Sequence, residues 1–157
     1  MSASAIFDLA PLGALVRYSD GAPRPPERHV NKLRAWKRCN GRGRLVEKTR
    51  ARTMGRVSLP ASITLHEGDY TSEGVVVLTV RGIHSVASSL RFDVVALPPP
   101  GSVLCLKSFA ETVELLHLAP DLASAAAWAA SHPLERARFE QVGADGEPAP
   151  VVLDVAA

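Results

Sequence analysis

The chain is poor in the features that mark secreted, membrane-spanning and zinc-binding proteins. It has two cysteines in 157 residues, Cys39 and Cys105, which are too few for a small disulfide scaffold and too far apart for a metal-binding pair. Its apolar runs, such as residues 75–78, fall far short of the ~20 residues that cross a bilayer. Asp8 and Pro11 interrupt the first apolar stretch, which has no basic flank, so no secretory signal is predicted. We expect a reducing, cytoplasmic location and no membrane partner.

The composition is otherwise that of an ordinary globular protein. Apolar residues make up 46% of the chain and charged residues 22%, close to average usage. A chain of 157 residues can form one core but hardly two full domains. We predict a single domain over 1–157, with a basic helix-plus-arm segment at 17–60 and a mainly β, acidic portion at 61–155. Abundant alanine and arginine with little lysine suggests a bacterial coding bias.

Positive charge is concentrated in the first third of the chain. Residues 17–56 hold 13 Lys or Arg against three carboxylates, a net charge of +10. Residues 57–157 carry a net charge of −7, so the overall value of +2 hides the asymmetry. A charge distribution of this kind indicates an anionic partner for the basic part.

A helix is predicted over 27–39 within this basic segment. Pro26 suits the first helical position, and Asn40-Gly41 suits a left-handed C-cap. Helical periodicity gives the helix an apolar side, which we expect to be buried, and an opposite basic side. The apolar side comprises Val30, Leu33 and Trp36, and the basic side comprises Arg28, Lys32, Arg34 and Arg38.

The rest of the chain is read mainly as strands. They are predicted at 12–18, 45–48, 62–66, 74–80, 90–94, 103–107, 112–118, 136–142 and 150–155, with a second helix over 121–131. Residues 74–80 form a mainly apolar run, which predicts a central strand, and 49–60 should form a mobile basic arm or loop. Capping-box spacing leaves a helix open as the alternative at 112–118. The predicted fold class is α+β, a mixed, largely antiparallel sheet with two packed helices.

The basic segment is the main candidate site. Arginine binds phosphate in a bidentate manner, and neutralising a phosphate releases counterions, so such a surface favours nucleic acid. The predicted nucleic-acid-binding residues are Arg28, Lys32, Arg34, Arg38, Arg42, Arg44, Arg50, Arg52 and Arg56. Only Trp36 lies inside this segment as an aromatic, and no recognised module signature is present, so sequence-specific readout is not predicted.

The same charge also allows a protein partner. A basic segment can dock on an acidic protein surface as readily as on phosphates, and the acidic remainder of the chain could hold another copy's basic segment. The alternative function is therefore an adaptor or inhibitor of a nucleic-acid machine, with self-association possible. DNA, RNA and an acidic protein surface stay open as partners at this point.

Catalytic and metal chemistry have little support in the sequence. The densest group of possible ligands, His66, Glu67 and Asp69, is typical of a polar turn between strands. No serine stands in a nucleophile elbow, and Gly41-Arg42-Gly43 lacks the rest of a phosphate loop. Cys39 is the better reactive thiol, since it is flanked by cations. We predict no catalytic residue, no metal site and no cofactor, and lean against an enzyme.

Overall fold

The structure is a computed structural model that describes residues 1–133 and 137–153. Within the chain, two compact units are distinguished, Met1–Ala96 and Leu97–Ala157. The single domain expected over 1–157 stays a prediction.

The first unit is built on an antiparallel sheet in which the strands follow the order β6-β5-β2-β1-β7. A separate two-stranded hairpin, β3-β4, follows β2 in the chain. The elements are α1 (Ala3–Leu9), β1 (Leu15–Ser19), α2 (Val30–Cys39), β2 (Gly41–Thr49), β3 (Arg52–Met54), β4 (Val57–Leu59), β5 (Ser62–Ser72), β6 (Val75–Ser85) and β7 (Arg91–Ala96).

One face of this sheet forms the core beneath α1. The Ser2 side chain accepts a hydrogen bond from the Ala5 amide and so caps α1. Ile6 of α1 is fully buried, and α1 packs against β5 and β7. Alternate strand residues point to the same face, so Val16 and Tyr18 face the core with Phe92 of β7.

The second unit is a smaller antiparallel sheet in the order β11-β10-β8-β9, with one helix. Its elements are β8 (Val103–Phe109), β9 (Thr112–Ala119), α3 (Leu122–Ser131), β10 (Arg138–Val142) and β11 (Pro148–Val151). Asp121 caps α3 by accepting a hydrogen bond from the Ser124 amide at 2.7 Å. Ala125 of α3 is fully buried and packs with Val103 and Cys105 of β8.

The predicted fold class is confirmed in its broad form. The paired strands within both units are antiparallel, and the chain combines a large proportion of strand with helices. The strand predicted at 112–118 is β9, and the helix predicted at 121–131 is α3. The number of helices differs, because α1 is a third helix that the sequence did not predict. In the described part of the chain, no helix is long and apolar enough to cross a bilayer.

Several local predictions in the first unit are wrong. The helix expected over 27–39 is present as α2 and ends at Cys39 as predicted, but it begins at Val30, and Asn40 is extended with φ −139° instead of forming a left-handed cap. The turn expected around His66 is the interior of β5, where a register shift absorbs one extra residue. Residues 49–60 contain the β3-β4 hairpin, closed at Gly55 with φ 60°.

The apolar run at 74–80 does not form a central strand. It belongs to β6, which pairs with β5 alone among the described strands and therefore lies at the edge of the sheet. Val75, Val76, Val77 and Leu78 are each more than half exposed. An apolar run predicts burial from composition alone, whereas the exposure of a strand depends on its neighbours. At the other end of the chain, the predicted strands at 136–142 and 150–155 begin or end in residues 134–136 and 154–157, outside the described residues.

Candidate nucleic-acid interface

Helix α2 lies on the surface of the first unit and has no buried residue. The expectation that Val30, Leu33 and Trp36 form a buried side is wrong, since Val30 is 60% exposed and the other two are half-buried. The half-buried side runs instead through Leu33, Trp36 and Cys39, spaced three apart. The apolar stripe is therefore displaced toward the C-terminal end of the helix, which is the end attached to the sheet.

Side-chain hydrogen bonds hold that end of α2. The Trp36 indole N–H donates to the Ala22 carbonyl oxygen at 2.8 Å. The Asn40 amide nitrogen donates to Asp20 Oδ1 at 2.8 Å, and Ser19 Oγ donates to Asn40 Oδ1 at 2.6 Å. Hydrogen bonds from the Ala22 amide and the Asn40 side chain lower the pKa of Asp20 below its ordinary value. The helix is thus fixed to the end of β1 by polar contacts with little burial.

The cations of α2 point into solvent. Lys32, Arg34 and Arg38 are exposed, and among the described residues no carboxylate lies within ion-pair distance of any of them. Arg28 precedes the helix, where its Nε lies 3.3 Å from His29 Nε2. Arg34 and Arg38 are four residues apart, a spacing at which like charges repel by a few tenths of a kcal/mol. The basic side predicted for this helix is therefore exposed and electrostatically uncompensated.

The Gly-Arg-Gly-Arg sequence that follows α2, residues 41–44, forms the first part of strand β2. Gly41 and Gly43 face the core side, where an added Cβ at Gly41 would lie 2.6 Å from the Tyr18 hydroxyl oxygen. At Gly43 an added Cβ would lie 2.8 Å from the His66 carbonyl oxygen and 2.9 Å from Leu65 Cβ. Both glycines therefore allow neighbours to approach the backbone of β2. Because successive residues alternate between faces, Arg42 and Arg44 project from the opposite face.

Arg44 differs from the other predicted cations in being partly engaged. It is half-buried, and its Nη1 donates a hydrogen bond of 2.6 Å to the Gly13 carbonyl oxygen. This contact ties the segment before β1 to β2. Arg42, by contrast, is exposed, and no ion-pair partner is found for it among residues 1–133 and 137–153.

The remaining predicted cations lie on or beside the β3-β4 hairpin. Arg50 precedes the hairpin, Arg52 begins β3 and Arg56 lies in its turn, and all three are exposed. The hairpin gives these side chains a defined backbone, where the sequence predicted a mobile arm. Lys48, just before them, is partly buried, which lowers its pKa, and its Nζ lies 5.9 Å from the centre of the Phe7 ring.

Strand pairing brings in further cations that were not predicted as site residues. Arg17 of β1 lies directly opposite Arg42 of β2, and Arg17 also donates to Asp93 of β7 at 2.9 Å. Arg81 of β6 pairs with His66 of β5, which in turn pairs with Arg44. Only the register of the strands places Arg44, His66 and Arg81 side by side across the sheet. Arg44 and Arg81 are far apart in sequence, and their strands were not predicted to be neighbours through β5.

The possible metal ligands in β5 do not converge on one site. They are His66, Glu67 and Asp69, and they make separate hydrogen bonds. His66 Nε2 and Asp69 Oδ1 are 2.9 Å apart, and Thr79 Oγ1 also donates to Asp69 Oδ1 at 2.8 Å. These hydrogen bonds lower the pKa of Asp69 below its ordinary value. Glu67 instead accepts from the Tyr18 hydroxyl at 2.8 Å. Among the described residues no cluster of three or more His, Cys, Asp or Glu could hold a metal ion.

A polar cluster on the core side surrounds Tyr18. Burial and the hydrogen bond to Glu67 raise the Tyr18 pKa above its ordinary value. The His84 ring lies 4.5 Å from the Tyr18 ring, centre to centre. Its Nε2 is buried and has no hydrogen-bond partner within residues 1–133 and 137–153. Burial lowers the pKa of His84, partly offset by Glu67. The lowered pKa favours the neutral imidazole beside the Glu67 carboxylate.

The two thiols are free and differ in burial. Cys39 is half-buried at the end of α2, and Cys105 is buried in β8. Burial raises the pKa of Cys105 to about 11, which leaves it protonated near neutral pH and unreactive as a nucleophile.

The chain matches the family model described as "Uncharacterised conserved protein UCP036055" over residues 1–146. Comparison with curated proteins and with solved structures gives no significant match. The exposed cations and the glycine-spaced strand described above fall inside the matched range. The chain belongs to the UCP036055 family of uncharacterised conserved proteins.

Proposed function

We propose that the protein is a non-catalytic nucleic-acid-binding protein that contacts the phosphate backbone without strong sequence preference. The observation that carries the proposal is a run of exposed cations without carboxylate partners among the described residues, on α2, β2 and the β3-β4 hairpin. The contacting residues are Arg28, Lys32, Arg34, Arg38, Arg42, Arg50, Arg52 and Arg56, with Arg44 contributing the part of its guanidinium that Gly13 leaves free.

Electrostatics favours an anion at this surface. Arg34 and Arg38 repel each other on α2, and Arg42 lies opposite Arg17 in the sheet, where directly opposed like charges are destabilising. A phosphate backbone relieves this repulsion and releases condensed counterions as each phosphate is neutralised. Binding of this kind is strong at low salt and weakens steeply as salt is added.

The same surface offers little for reading bases. The indole N–H of Trp36 is used by Ala22, and the ring is half-buried against the first unit, so it is poorly placed for stacking on a base. Phosphate contacts position a protein on nucleic acid but carry no direct sequence information. Weak sequence preference follows from a surface made of phosphate-binding groups.

The direct test is binding of the full chain to labelled random duplex DNA, duplex RNA and single strands across ~50 to 200 mM salt. Log affinity should fall linearly with log salt, with a slope of about −0.9 per phosphate contacted on a duplex. The paired reversal Arg34→Glu and Arg38→Glu should abolish binding, because it puts two negative charges where phosphates would lie. Both side chains are exposed, so the variant should unfold at the same temperature as the wild type.

A cation on the second unit supplies the control. Arg138 is also exposed at the surface and pairs with Glu140 at 3.3 Å, so Arg138→Gln removes one positive charge outside the basic segment. Arg34→Gln alone should weaken binding while Arg138→Gln should not. Equal effects of the two would mean that only net charge matters, and no binding by the wild type at the lowest salt would end the nucleic-acid proposal.

A second candidate function is docking on a protein, as an adaptor or inhibitor of a nucleic-acid machine that uses the same basic segment on an acidic surface. The observation that favours a protein partner is the apolar exposure of the β5-β6 hairpin, where Tyr70 is 63% and Val77 63% exposed. Polyglutamate is a suitable probe for the acidic surface. Binding of polyglutamate at least as tight as duplex binding, at equal salt, would favour this candidate over the first.

A further inference from the structure

The face of the first unit's sheet that points away from α1 carries its own group of cations. Arg42 and Arg44 of β2 project from this face because Gly41 and Gly43 occupy the positions that face the core. Arg17 of β1 lies opposite Arg42. Arg44 pairs with His66 of β5, which in turn pairs with Arg81 of β6, so Arg81 lies on the same face. Residues paired across adjacent strands have Cα atoms ~4.5 to 5.5 Å apart. The four arginines therefore fit within roughly 15 Å across the sheet.

Strand register places three carboxylates on this face, Glu47, Asp69 and Asp93, together with a fifth arginine, Arg91. Asp93 accepts from Arg17 at 2.9 Å, and that contact lowers the Asp93 pKa below its ordinary value. Asp69 bonds His66 at 2.9 Å and lies near enough to Arg81 for that charge also to lower its pKa. Five arginines against three carboxylates leave the face positive. Arg42 has no ion-pair partner among the described residues.

The face is also poor in aromatic rings. Tyr18 and Phe92 are on the core side of the sheet, and Tyr70 alternates with Asp69 along β5, so its ring points away from this face. Binding of single strands draws about 1 to 3 kcal/mol per base from stacking on aromatic side chains. The strands place no Phe, Tyr or Trp ring on this face, and the His66 imidazole there is hydrogen-bonded to Asp69. Binding therefore depends mainly on phosphate charge, which is denser on a duplex than on a single strand.

We infer that this sheet face, through Arg17, Arg42, Arg44 and Arg81, is part of the phosphate-contacting surface and that its ligand is double-stranded nucleic acid. The inference rests on the proposed function and narrows it to a class of ligand and a second surface beside α2. Duplex DNA and duplex RNA present the same phosphate chemistry to the face. The two duplexes are therefore separate arms of the test.

The experiment compares Arg42→Gln and Arg81→Gln with the matched charge control Arg138→Gln in the full chain. Each duplex contact scales affinity roughly as salt to the power −0.9, so losing one contact costs about eightfold at ~0.1 M salt and flattens the salt slope by about 0.9. Arg42→Lys keeps the charge and should keep the slope. Unfolding temperatures of all variants are measured alongside, so that a loss of fold is not taken for a loss of contact.

The outcomes separate this inference from the proposed function. Flatter slopes for Arg42→Gln and Arg81→Gln than for Arg138→Gln, with duplex bound more tightly than single strands of equal length, support it. If Arg34→Gln weakens duplex binding but both sheet variants behave like Arg138→Gln, the sheet face is not a contact surface and the proposed function stands without it. Tighter binding of single strands overturns the duplex assignment. No binding by the wild type removes the proposed function and this inference together.

Discussion

Gly43→Ala tests how closely β2 and β5 approach in the first unit. An added Cβ would lie 2.8 Å from the His66 carbonyl oxygen and 2.9 Å from Leu65 Cβ. Leu65 is fully buried and His66 O is backbone, so neither neighbour can move without shifting β5. We expect Gly43→Ala to destabilise the protein although alanine is the better residue for an ordinary strand.

The magnitude follows from two opposed terms. Overpacking of a tight site costs about 1 to 3 kcal/mol, whereas replacing glycine at a compatible position stabilises by about 0.4 to 1 kcal/mol through the unfolded chain. The net effect is a loss of about 1 to 2 kcal/mol in the free energy of unfolding. For a chain of this length each kcal/mol lowers the unfolding temperature by about 2 to 4 °C, so we expect a decrease of roughly 2 to 8 °C.

Gly68→Ala is the matched control in the same sheet. Gly68 lies in β5, and an added Cβ there would meet nothing within 4 Å. This variant should be neutral or slightly more stable than the wild type. Urea and thermal unfolding of both variants give the comparison, and a Gly43→Ala protein as stable as Gly68→Ala would show that the strands do not approach as closely as described.

Three other changes test contacts outside that strand pair. Trp36→Ala should cost about 1 to 2 kcal/mol in urea unfolding, less than a buried aromatic, because it loses a ~1 kcal/mol hydrogen bond to Ala22 and only partial burial. The Ser124 amide lowers the pKa of Asp121 in the folded state below its ordinary value of 3.8, so the stabilisation by this carboxylate is lost as the pH falls through the folded-state pKa. Asp121→Asn should therefore make thermal stability less sensitive to acid below pH 3.8. His84→Phe should likewise reduce the loss of stability below pH 6.5, because burial lowers the folded-state pKa of the histidine and protonation favours the unfolded chain.

Secondary structure was predictable where local chemistry decides it. Asp121 followed by an alanine-rich stretch predicted α3, because a carboxylate accepting the Ser124 amide caps a helix wherever it lies in the fold. Alternating residues predicted β9 over the competing helix. These signals need no knowledge of the tertiary structure.

Burial was less predictable, because it depends on neighbours that the local pattern does not specify. Residues 75–78 are apolar and yet exposed, since β6 has β5 on one side and lies at the sheet edge. Val30 fits the apolar stripe of α2 and is still 60% exposed, because the helix attaches by its other end. Composition measures the tendency of a side chain to be buried, and topology decides whether a partner is there.

The candidate site was predictable in its residue types but not in its geometry. Charge counting identifies the cations of residues 17–56, and the exposure of Arg34 and Arg38 agrees with that reading. Arg81 could not be placed beside them, because its position depends on the register of β6 on β5 and of β5 on β2. A charge count along the chain finds a basic segment, whereas a basic surface is assembled across strands.

The Gly-Arg-Gly-Arg strand links the packing of the sheet to its charge. Two glycines in close sequence often indicate a turn. In β2, however, successive residues alternate between faces, so Gly41 and Gly43 lie on the core side and Arg42 and Arg44 on the other side. Gly43 lets β5 approach β2 closely. Because Arg44 pairs with His66 of β5 and His66 pairs with Arg81 of β6, that approach also sets the distance between Arg44 and Arg81. A larger side chain at position 43 therefore changes both stability and the spacing of the cations, whereas Arg42→Gln changes charge with the packing left in place. If phosphate binding depends on that spacing, Gly43→Ala should weaken it even at temperatures where the variant is fully folded, and Gly68→Ala should not.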